Sequence, residues 1–150
     1  MSDLTIRPAT AGDLPALVAM LADDPLGATR ESPQDLTPYR EAFDRISADP
    51  QQHLVIAERD GRPAGTLQLT VVPGLSRQGA DRALVEAVRV HVDQRGTGLG
   101  TELLTWAVAE ARRQGCALVQ LTTDATRLDA HRFYERLGFE ASHLGFKMLL

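Results

Sequence analysis

The chain has 150 residues, of which 43% are hydrophobic and 24% charged, and it carries a formal net charge of −4. This composition is typical of a globular protein that buries a core without disulfides or structural metals, so we expect a single domain over 1–150. The negative charge disfavours a nucleic-acid partner. The single cysteine, Cys116, excludes an internal disulfide framework and a multi-cysteine metal site.

The chain also shows no membrane or export signal. No apolar stretch approaches the roughly 20 residues of a membrane span. The N-terminus lacks the basic-then-apolar pattern of a secretory signal. We therefore expect a cytoplasmic protein that uses no metal and has no membrane partner.

Hydrophobic periodicity and turn residues predict a mixed-sheet α/β domain, with hairpins early and a strand–loop–helix–strand crossover later. Asp60-Gly61 is a strong hairpin signal, and Gly115 is typical of a helix end. The continuously apolar run at 117–121 predicts a strand buried on both faces. In chain order we expect a strand at 4–7, a helix at 11–22, an irregular segment at 23–38, a helix at 39–48, strands at 53–57 and 64–72, a loop at 73–81, a strand at 82–92, a helix that follows the glycine loop from 99 and ends at Gly115, a strand at 117–121, a helix at 128–137 and a final strand at 146–150.

The segment Arg95-Gly96-Thr97-Gly98-Leu99-Gly100 lies between a predicted strand and a predicted amphipathic helix. Three glycines leave backbone N–H groups uncovered, and the helix that follows adds its own free N–H groups and the positive end of its dipole. Arg95 adds a cation suited to a phosphate group. The segment therefore predicts a phosphate-binding loop.

Other glycine-rich loops fit this segment less well. A nucleotide triphosphate loop needs a lysine after its last glycine, whereas Thr101 and Glu102 follow here, which disfavours a nucleotide-dependent enzyme. A dinucleotide loop has the spacing G-x-G-x-x-G early in the fold, and here the spacing is G-x-G-x-G late in the chain. A plain tight turn from strand to helix stays open on this segment alone.

Two segments together resemble the GNAT superfamily of acyl-CoA-dependent N-acetyltransferases. Arg95-x-x-Gly98-x-Gly100 is similar to the family's acetyl-CoA loop, and Phe133-Tyr134-Glu135-x-x-Gly138-Phe139 is similar to the segment that bears its usual catalytic tyrosine. The resemblance implies a mixed, mostly antiparallel central sheet flanked by helices. It also implies transfer of an acetyl group from acetyl-CoA to a primary amine, and a homodimer as many relatives form. A non-catalytic module that senses acyl-CoA is the alternative.

The resemblance implies roles for main-chain and side-chain groups. Backbone amides of 95–101 would hold the coenzyme A pyrophosphate, and the backbone of 88–90 would pair with the pantetheine arm like an added strand. Tyr134 would donate a proton to the departing thiolate; packing in the core is its alternative. Arg127 stands where many relatives carry an asparagine that contacts the cofactor. The implied cofactor-binding residues are Val88, Arg89, Val90, Arg95, Gly96, Thr97, Gly98, Leu99, Gly100, Thr101 and Arg127.

Glu86 is the candidate base, because some relatives place a carboxylate nine residues before the loop arginine. Its register in the predicted strand points it inward among apolar neighbours at 84, 88 and 90, where an acid is costly unless it is partnered or functional. A salt bridge with Arg89 or Arg82 is the structural alternative.

The acceptor, a small-molecule or peptide amine, should dock between 25–45 and the loop 73–81. Arg77 and Arg82 there would favour an acceptor with a carboxylate or phosphate group, although solvated arginines are the default for loops. Cys116 lacks an adjacent base, which favours direct attack of the amine over an acyl-enzyme route.

Overall fold

The structure is a computed structural model that describes residues 3–150 and divides the chain into two compact units, the first ending at Gln120 and the second spanning Leu121–Leu150. The elements of the first unit are β1 Leu4–Pro8, a 3₁₀ turn Ala11–Asp13, α1 Leu14–Ala22, α2 Gly27–Arg30, α3 Thr37–Ala48, β2 Gln52–Arg59, β3 Arg62–Val72, α4 Ser76–Gly79, β4 Arg82–Val90, a 3₁₀ turn Val92–Gln94, α5 Leu99–Arg113 and β5 Leu118–Gln120; the second unit contains α6 Leu128–Arg136.

The five strands form one mixed sheet in the order β1-β2-β3-β4-β5. The first four strands pair antiparallel, and β5 runs parallel to β4. Asp60 and Gly61 form the two-residue connection of the β2–β3 hairpin with φ of 53° and 77°, which is the left-handed pair that a tight hairpin turn requires. The mixed, mostly antiparallel sheet is confirmed.

Helices cover both faces of this sheet in the first unit. On one face, which we call the α1 face, Leu14, Leu17 and Met20 of α1 pack with Ile56 of β2, and Phe43 of α3 packs against them. On the other, the α5 face, a Cβ on Gly65 would lie 2.9 Å from Leu103 Cδ1, so this strand glycine permits the close approach of helix α5. Ile56 and Ala57 point to opposite faces, and Ala57 pairs with Gly65, which keeps the two helical layers apart.

Strand β4 contains a bulge that the sequence does not signal. Glu86 pairs with Gln68 and Arg89 pairs with Thr66, so the two residues between them on β4 oppose one on β3. Ala87 adopts φ 54°, the left-handed region that L-residues rarely occupy. A bulge of this kind bends the strand and changes which way the following side chains point.

Two expectations about strands are wrong. Residues 146–150 form no strand, and the large apolar side chains of Leu144, Phe146 and Met148 are exposed. Their alternating pattern fits a strand, but a strand also needs a paired neighbour, which a local pattern does not supply. Strand β5 is only three residues long and is not buried on both faces: Gln120 is exposed, because the strand lies at the edge of the sheet and pairs with β4 alone.

The two segments expected to be irregular each contain a short helical turn. Residues 23–38 include α2, and the loop 73–81 includes α4. Within α4, Arg77 and Gln78 have left-handed φ of 56° and 61°, so this turn is not a regular α-helix. In the part of the chain that the structure describes, none of the helices combines the length and the hydropathy of one that crosses a bilayer.

Candidate active site

The glycine loop adopts a conformation that only glycine takes without strain. Gly96 and Gly98 have φ of 77° and 85°, and Gly98 is the residue that immediately precedes helix α5. No atom lies within 4 Å of where a Cβ would stand on either glycine, so the space beside this backbone is open. The main chain of the loop is therefore accessible to a ligand, and its binding of a phosphate group stays a prediction.

Five consecutive or nearly consecutive amides in this loop have no protein acceptor among the described residues. No side chain caps the start of helix α5. The first amide of the helix that donates a hydrogen bond is that of Glu102, which donates to Gly98 O at 3.2 Å. Free amides at a helix start bind anions, since the N–H groups and the helix dipole act together. The unpaired amides belong to Gly96, Gly98, Leu99, Gly100 and Thr101.

Two predicted site arginines are tied to the end of helix α1. Arg95 donates from Nη2 to Asp23 O at 3.2 Å and to Asp23 Oδ2 at 3.4 Å. Nε of Arg89 lies 3.1 Å from Oδ2 of Asp24, an ion pair with both side chains largely shielded from solvent. The two acids hold the arginines beside β4 and the loop from a segment about 70 residues earlier in the chain, for which the sequence gives no local signal.

The second half of β4 has an unpaired edge. Strand β5 pairs with β4 only at Arg82, Ala83 and Leu84. The segment 85–90 pairs with β3 on one side, and no strand of the described chain pairs with its other side. An unpaired strand edge presents a row of amide and carbonyl groups, which is the arrangement that an extended ligand needs for backbone hydrogen bonds.

The inward orientation expected for Glu86 is wrong. Ala83 and Val85 are the buried residues of β4, whereas Glu86 lies on the other face with Leu84 and is exposed, next to the bulge at Ala87. No ion pair joins Glu86 to an arginine among the residues described. The carboxylate is therefore open to solvent and available to a ligand, and its role as a base stays a prediction.

In the second unit, the segment around Tyr134 forms a well-defined helix end. Gly138, with φ 99°, donates to Glu135 O at 3.0 Å, and Phe139 N donates to Tyr134 O at 3.1 Å, which together form a Schellman motif. The Tyr134 ring meets the Phe139 ring edge-on, with centroids 5.9 Å apart, and meets Phe133 at 5.1 Å. The glycine and the phenylalanines thus fix the tyrosine ring at the end of helix α6.

Arg127, the other predicted residue of the second unit, lies at the start of the same helix. Arg127 is exposed and precedes α6, and its amide donates to Asp124 O at 3.0 Å. Nε2 of His131 lies 3.1 Å from that same carbonyl oxygen. Arg127 is thus solvent-accessible in this unit, and its contact with the cofactor stays a prediction.

Cys116 is a free, partly shielded thiol in the first unit. Burial, followed by the charge of Asp81, raises the pKa of this thiol above its usual value. A raised pKa lowers the fraction of reactive thiolate near neutral pH. Within residues 3–150, no cluster of three His, Cys, Asp or Glu side chains is arranged to hold a metal ion.

Comparison with known proteins shows the family of this chain. The model of the acetyltransferase (GNAT) family matches residues 15–139. The chain is 32% identical to the aminoalkylphosphonate N-acetyltransferase of Salmonella typhimurium over 97% of its own length and 90% of that protein. It is 30% identical to the L-methionine sulfoximine/L-methionine sulfone acetyltransferase of Pseudomonas aeruginosa over 92% of its own length and 81% of that protein.

A solved structure follows the same course over almost the whole chain. The crystal structure of a protein from Bacillus halodurans C-125, described as a transcriptional regulator, superposes with a TM-score of 0.95 at 47% identity, covering 99% of this chain and 100% of the other. The family match spans the glycine loop, strand β4 and helix α6 alike. The chain therefore belongs to the GNAT acetyltransferase family and is an acetyl-CoA-dependent N-acetyltransferase.

Proposed function

We propose that this protein transfers the acetyl group of acetyl-CoA to the primary amine of a small molecule by direct attack of the amine. The observation that carries the proposal is the row of five unpaired amides in the glycine loop at the start of helix α5. These amides, with Arg95 beside them, suit the pyrophosphate of coenzyme A. Acetyl-CoA supplies an activated acyl group as a thioester.

The residues of β4 have two roles in this proposal. The unpaired backbone edge at 88–90 binds the extended pantetheine arm, and a main-chain N–H there polarises the thioester carbonyl. Glu86, exposed and without an ion-pair partner among the described residues, accepts the proton that the acceptor ammonium must lose before it attacks. An alkylammonium has a pKa near 10, so a base is needed at neutral pH.

Tyr134 is the proposed proton donor to the departing thiolate. Its ring is fixed by the edge contacts with Phe133 and Phe139, which supports a positioned hydroxyl group. Donation from a phenol near pKa 10 to a thiolate near pKa 8.5 is unfavourable by about 2 kcal/mol, which is small beside a complete reaction barrier. Cys116 is not proposed as an acyl carrier, because its raised pKa makes it a poor nucleophile.

The names of the relatives support a small-molecule acceptor. Aminoalkylphosphonates and methionine sulfoximine are compact molecules, and the two proteins named for them cover 97% and 92% of this chain. We infer that the acceptor of this protein belongs to the same size class. A peptide amine is the alternative acceptor. It would be indicated by turnover with a peptide that has a free amino terminus and by no turnover with any small-molecule amine.

The experiment measures thiol release from acetyl-CoA with a panel of amines, for the natural protein, Tyr134→Phe and Glu86→Gln. Tyr134→Phe should lower turnover about 10²-fold and leave the affinity for acetyl-CoA unchanged. Glu86→Gln should lower turnover about 10²-fold at pH 7, with a deficit that narrows toward pH 10 because free amine is then supplied by solvent. Glu135→Gln, which makes the same change on the exposed side of α6, is the control.

Three results would contradict parts of this proposal. Full turnover by Tyr134→Phe removes the tyrosine from the reaction, and a deficit of Glu86→Gln that is independent of pH removes the glutamate as base. Binding of acetyl-CoA without thiol release, with every amine and peptide tested, would indicate a sensing module instead of an enzyme acting on these acceptors.

A further inference from the structure

Arg82 differs from the other partly buried arginines in residues 3–120 because it has no carboxylate partner there. Four arginines in residues 3–120 are partly buried, and three of them have a carboxylate partner: Arg7 with Asp13 and Glu58, Arg59 with Glu102, and Arg89 with Asp24. No carboxylate of the described chain is paired with Arg82.

The guanidinium of Arg82 is also short of hydrogen bonds. Its Nε atom is buried and has no partner. Nε of Arg59 and Nε of Arg89 share this shortage, but each of those groups has its charge balanced by an acid 3.0 or 3.1 Å away. A partly buried cation without a counter-charge is costly, so the missing anion is expected to come from a ligand.

Arg82 lies on the same face of β4 as the proposed base. Arg82 pairs with Val72, Leu84 with Thr70 and Glu86 with Gln68, so successive even-numbered residues of β4 point to one side of the sheet. This is the α1 face, since Gln68 pairs with Leu54, which packs in the core cluster beneath α1 and α3. The Cα atoms of Arg82 and Glu86, four residues apart on one face, are separated by roughly 13 Å along the strand.

The surface between the two residues is polar. Gln68 Nε2 donates to Gln52 Oε1 at 2.7 Å, and Thr70 Oγ1 donates to the same oxygen at 2.9 Å. These three side chains are partly buried and lie on the α1 face beside Leu84 and Glu86. A hydrogen-bonded polar surface next to an unpaired cation and an open carboxylate fits a ligand that carries both charges.

We propose that Arg82 binds an anionic group of the acceptor, which makes the substrate a compact primary amine with an oxyanion a few bonds from its nitrogen. The ammonium end faces Glu86 and the phosphonate, phosphate or carboxylate end faces the guanidinium. This inference rests on the proposed acetyl transfer and adds the substrate class. Arginine suits either oxyanion, because its planar fork donates two parallel hydrogen bonds to both.

The test compares acceptors that differ in the anionic group. 2-Aminoethylphosphonate, β-alanine and the neutral ethanolamine are assayed with the natural protein, Arg82→Gln, Arg82→Lys and the control Arg112→Gln. Arg112 is an exposed arginine in the last turn of α5, outside the predicted site, and its substitution loses the same charge. We expect Arg82→Gln to raise KM for the better of the two anionic amines about 10- to 100-fold, with an intermediate value for Arg82→Lys. The kcat/KM for ethanolamine should stay within about twofold in every variant.

Binding measurements separate this inference from the acetyl transfer on which it rests. Calorimetric titration of 2-aminoethylphosphonate and β-alanine into the protein saturated with coenzyme A should show binding by the natural protein that Arg82→Gln loses, whether or not turnover follows. Three results would overturn the proposal. They are an equal loss of kcat/KM in Arg82→Gln for anionic and neutral amines, an unchanged KM of Arg82→Gln for the anionic amines, and no binding of either anionic amine to the natural protein. Arg82→Lys keeps the test valid if Arg82→Gln fails to fold.

Discussion

Asp13 joins the start of helix α1 to strand β1. Its carboxylate accepts hydrogen bonds from Arg7 Nη1 at 2.8 Å, Arg7 Nη2 at 3.0 Å and Thr10 N at 2.7 Å. The hydrogen bonds from the Arg7 guanidinium, helped by those from Thr10, lower the pKa of Asp13 from 3.8 to about 2. The far end of the same helix leads to the acids that pair with Arg89 and Arg95. A single carboxylate thus anchors the helix that borders the site.

We predict that Asp13→Asn destabilises the protein by about 1 kcal/mol at pH 7, the size of an ion pair combined with a helix-start hydrogen bond. Because the folded-state pKa is lowered, the stabilisation is complete above pH 3.8 and is lost as the pH falls toward 2. The difference in the free energy of unfolding between the natural protein and Asp13→Asn should therefore shrink as the pH falls from 3.8 to 2. Urea unfolding at several pH values measures it, with the exposed Asp44→Asn as control. A difference that persists unchanged at pH 2 would contradict the assignment.

Glu86 shows how far a residue's environment can be predicted from sequence. Its position nine residues before the loop arginine is a matter of counting, but its burial depends on register and on the bulge at Ala87. Nothing in the sequence marks Ala87 as left-handed. The surrounding sheet holds the residue in this strained backbone conformation, and alanine itself does not favour it. The alternation of apolar residues therefore predicted a burial that Glu86 does not have.

Among the elements, those with local signals were predicted best. Glycine at the αL positions and 3.6-residue periodicity place the loop and helix α5, and Asp60-Gly61 places the hairpin. The final strand at 146–150 was wrong because strand formation depends on a partner elsewhere in the chain. The acids at the end of α1 were missed for a related reason: their partners are distant in sequence.

The two ends of helix α5 offer a matched test of the glycine loop. Gly98 and Gly115 have φ of 85° and 81°, and neither has an atom within 4 Å of its missing Cβ. Alanine at either site should cost about 1 kcal/mol of stability through backbone strain. Only Gly98→Ala should weaken acetyl-CoA binding, by about tenfold or more, because its methyl group would project beside the unpaired amides. Calorimetry and thermal unfolding separate the two effects; equal affinities in both variants would argue against the anion-binding loop.

At the scale of the whole chain, the match to the family runs from residue 15 to 139 and therefore includes both compact units. The loop motif and the tyrosine motif were sufficient to predict the family because each requires particular residue types at fixed spacing. The acceptor could not be predicted in the same way. The subsite that we propose for it combines side chains of β2, β3 and β4, whose alignment depends on strand register.

Cys116 is the one thiol of the molecule, and its raised pKa predicts slow modification. At pH 7.5 an aromatic disulfide reagent should label the folded protein more slowly than a free cysteine peptide, since the thiolate is the reacting species. After unfolding in urea, one equivalent should react promptly. Prompt labelling of the folded protein would show that burial and Asp81 do not suppress the thiolate.

This slow thiol has a practical consequence for measuring the reaction. Colorimetric detection of coenzyme A relies on the same reagent, and a reactive protein sulfhydryl would add a blank that scales with enzyme concentration. Because burial raises the pKa of the Cys116 thiol, the protein should contribute little to the absorbance change during initial rates, which favours continuous assays at high enzyme loading for poor acceptors and impaired variants.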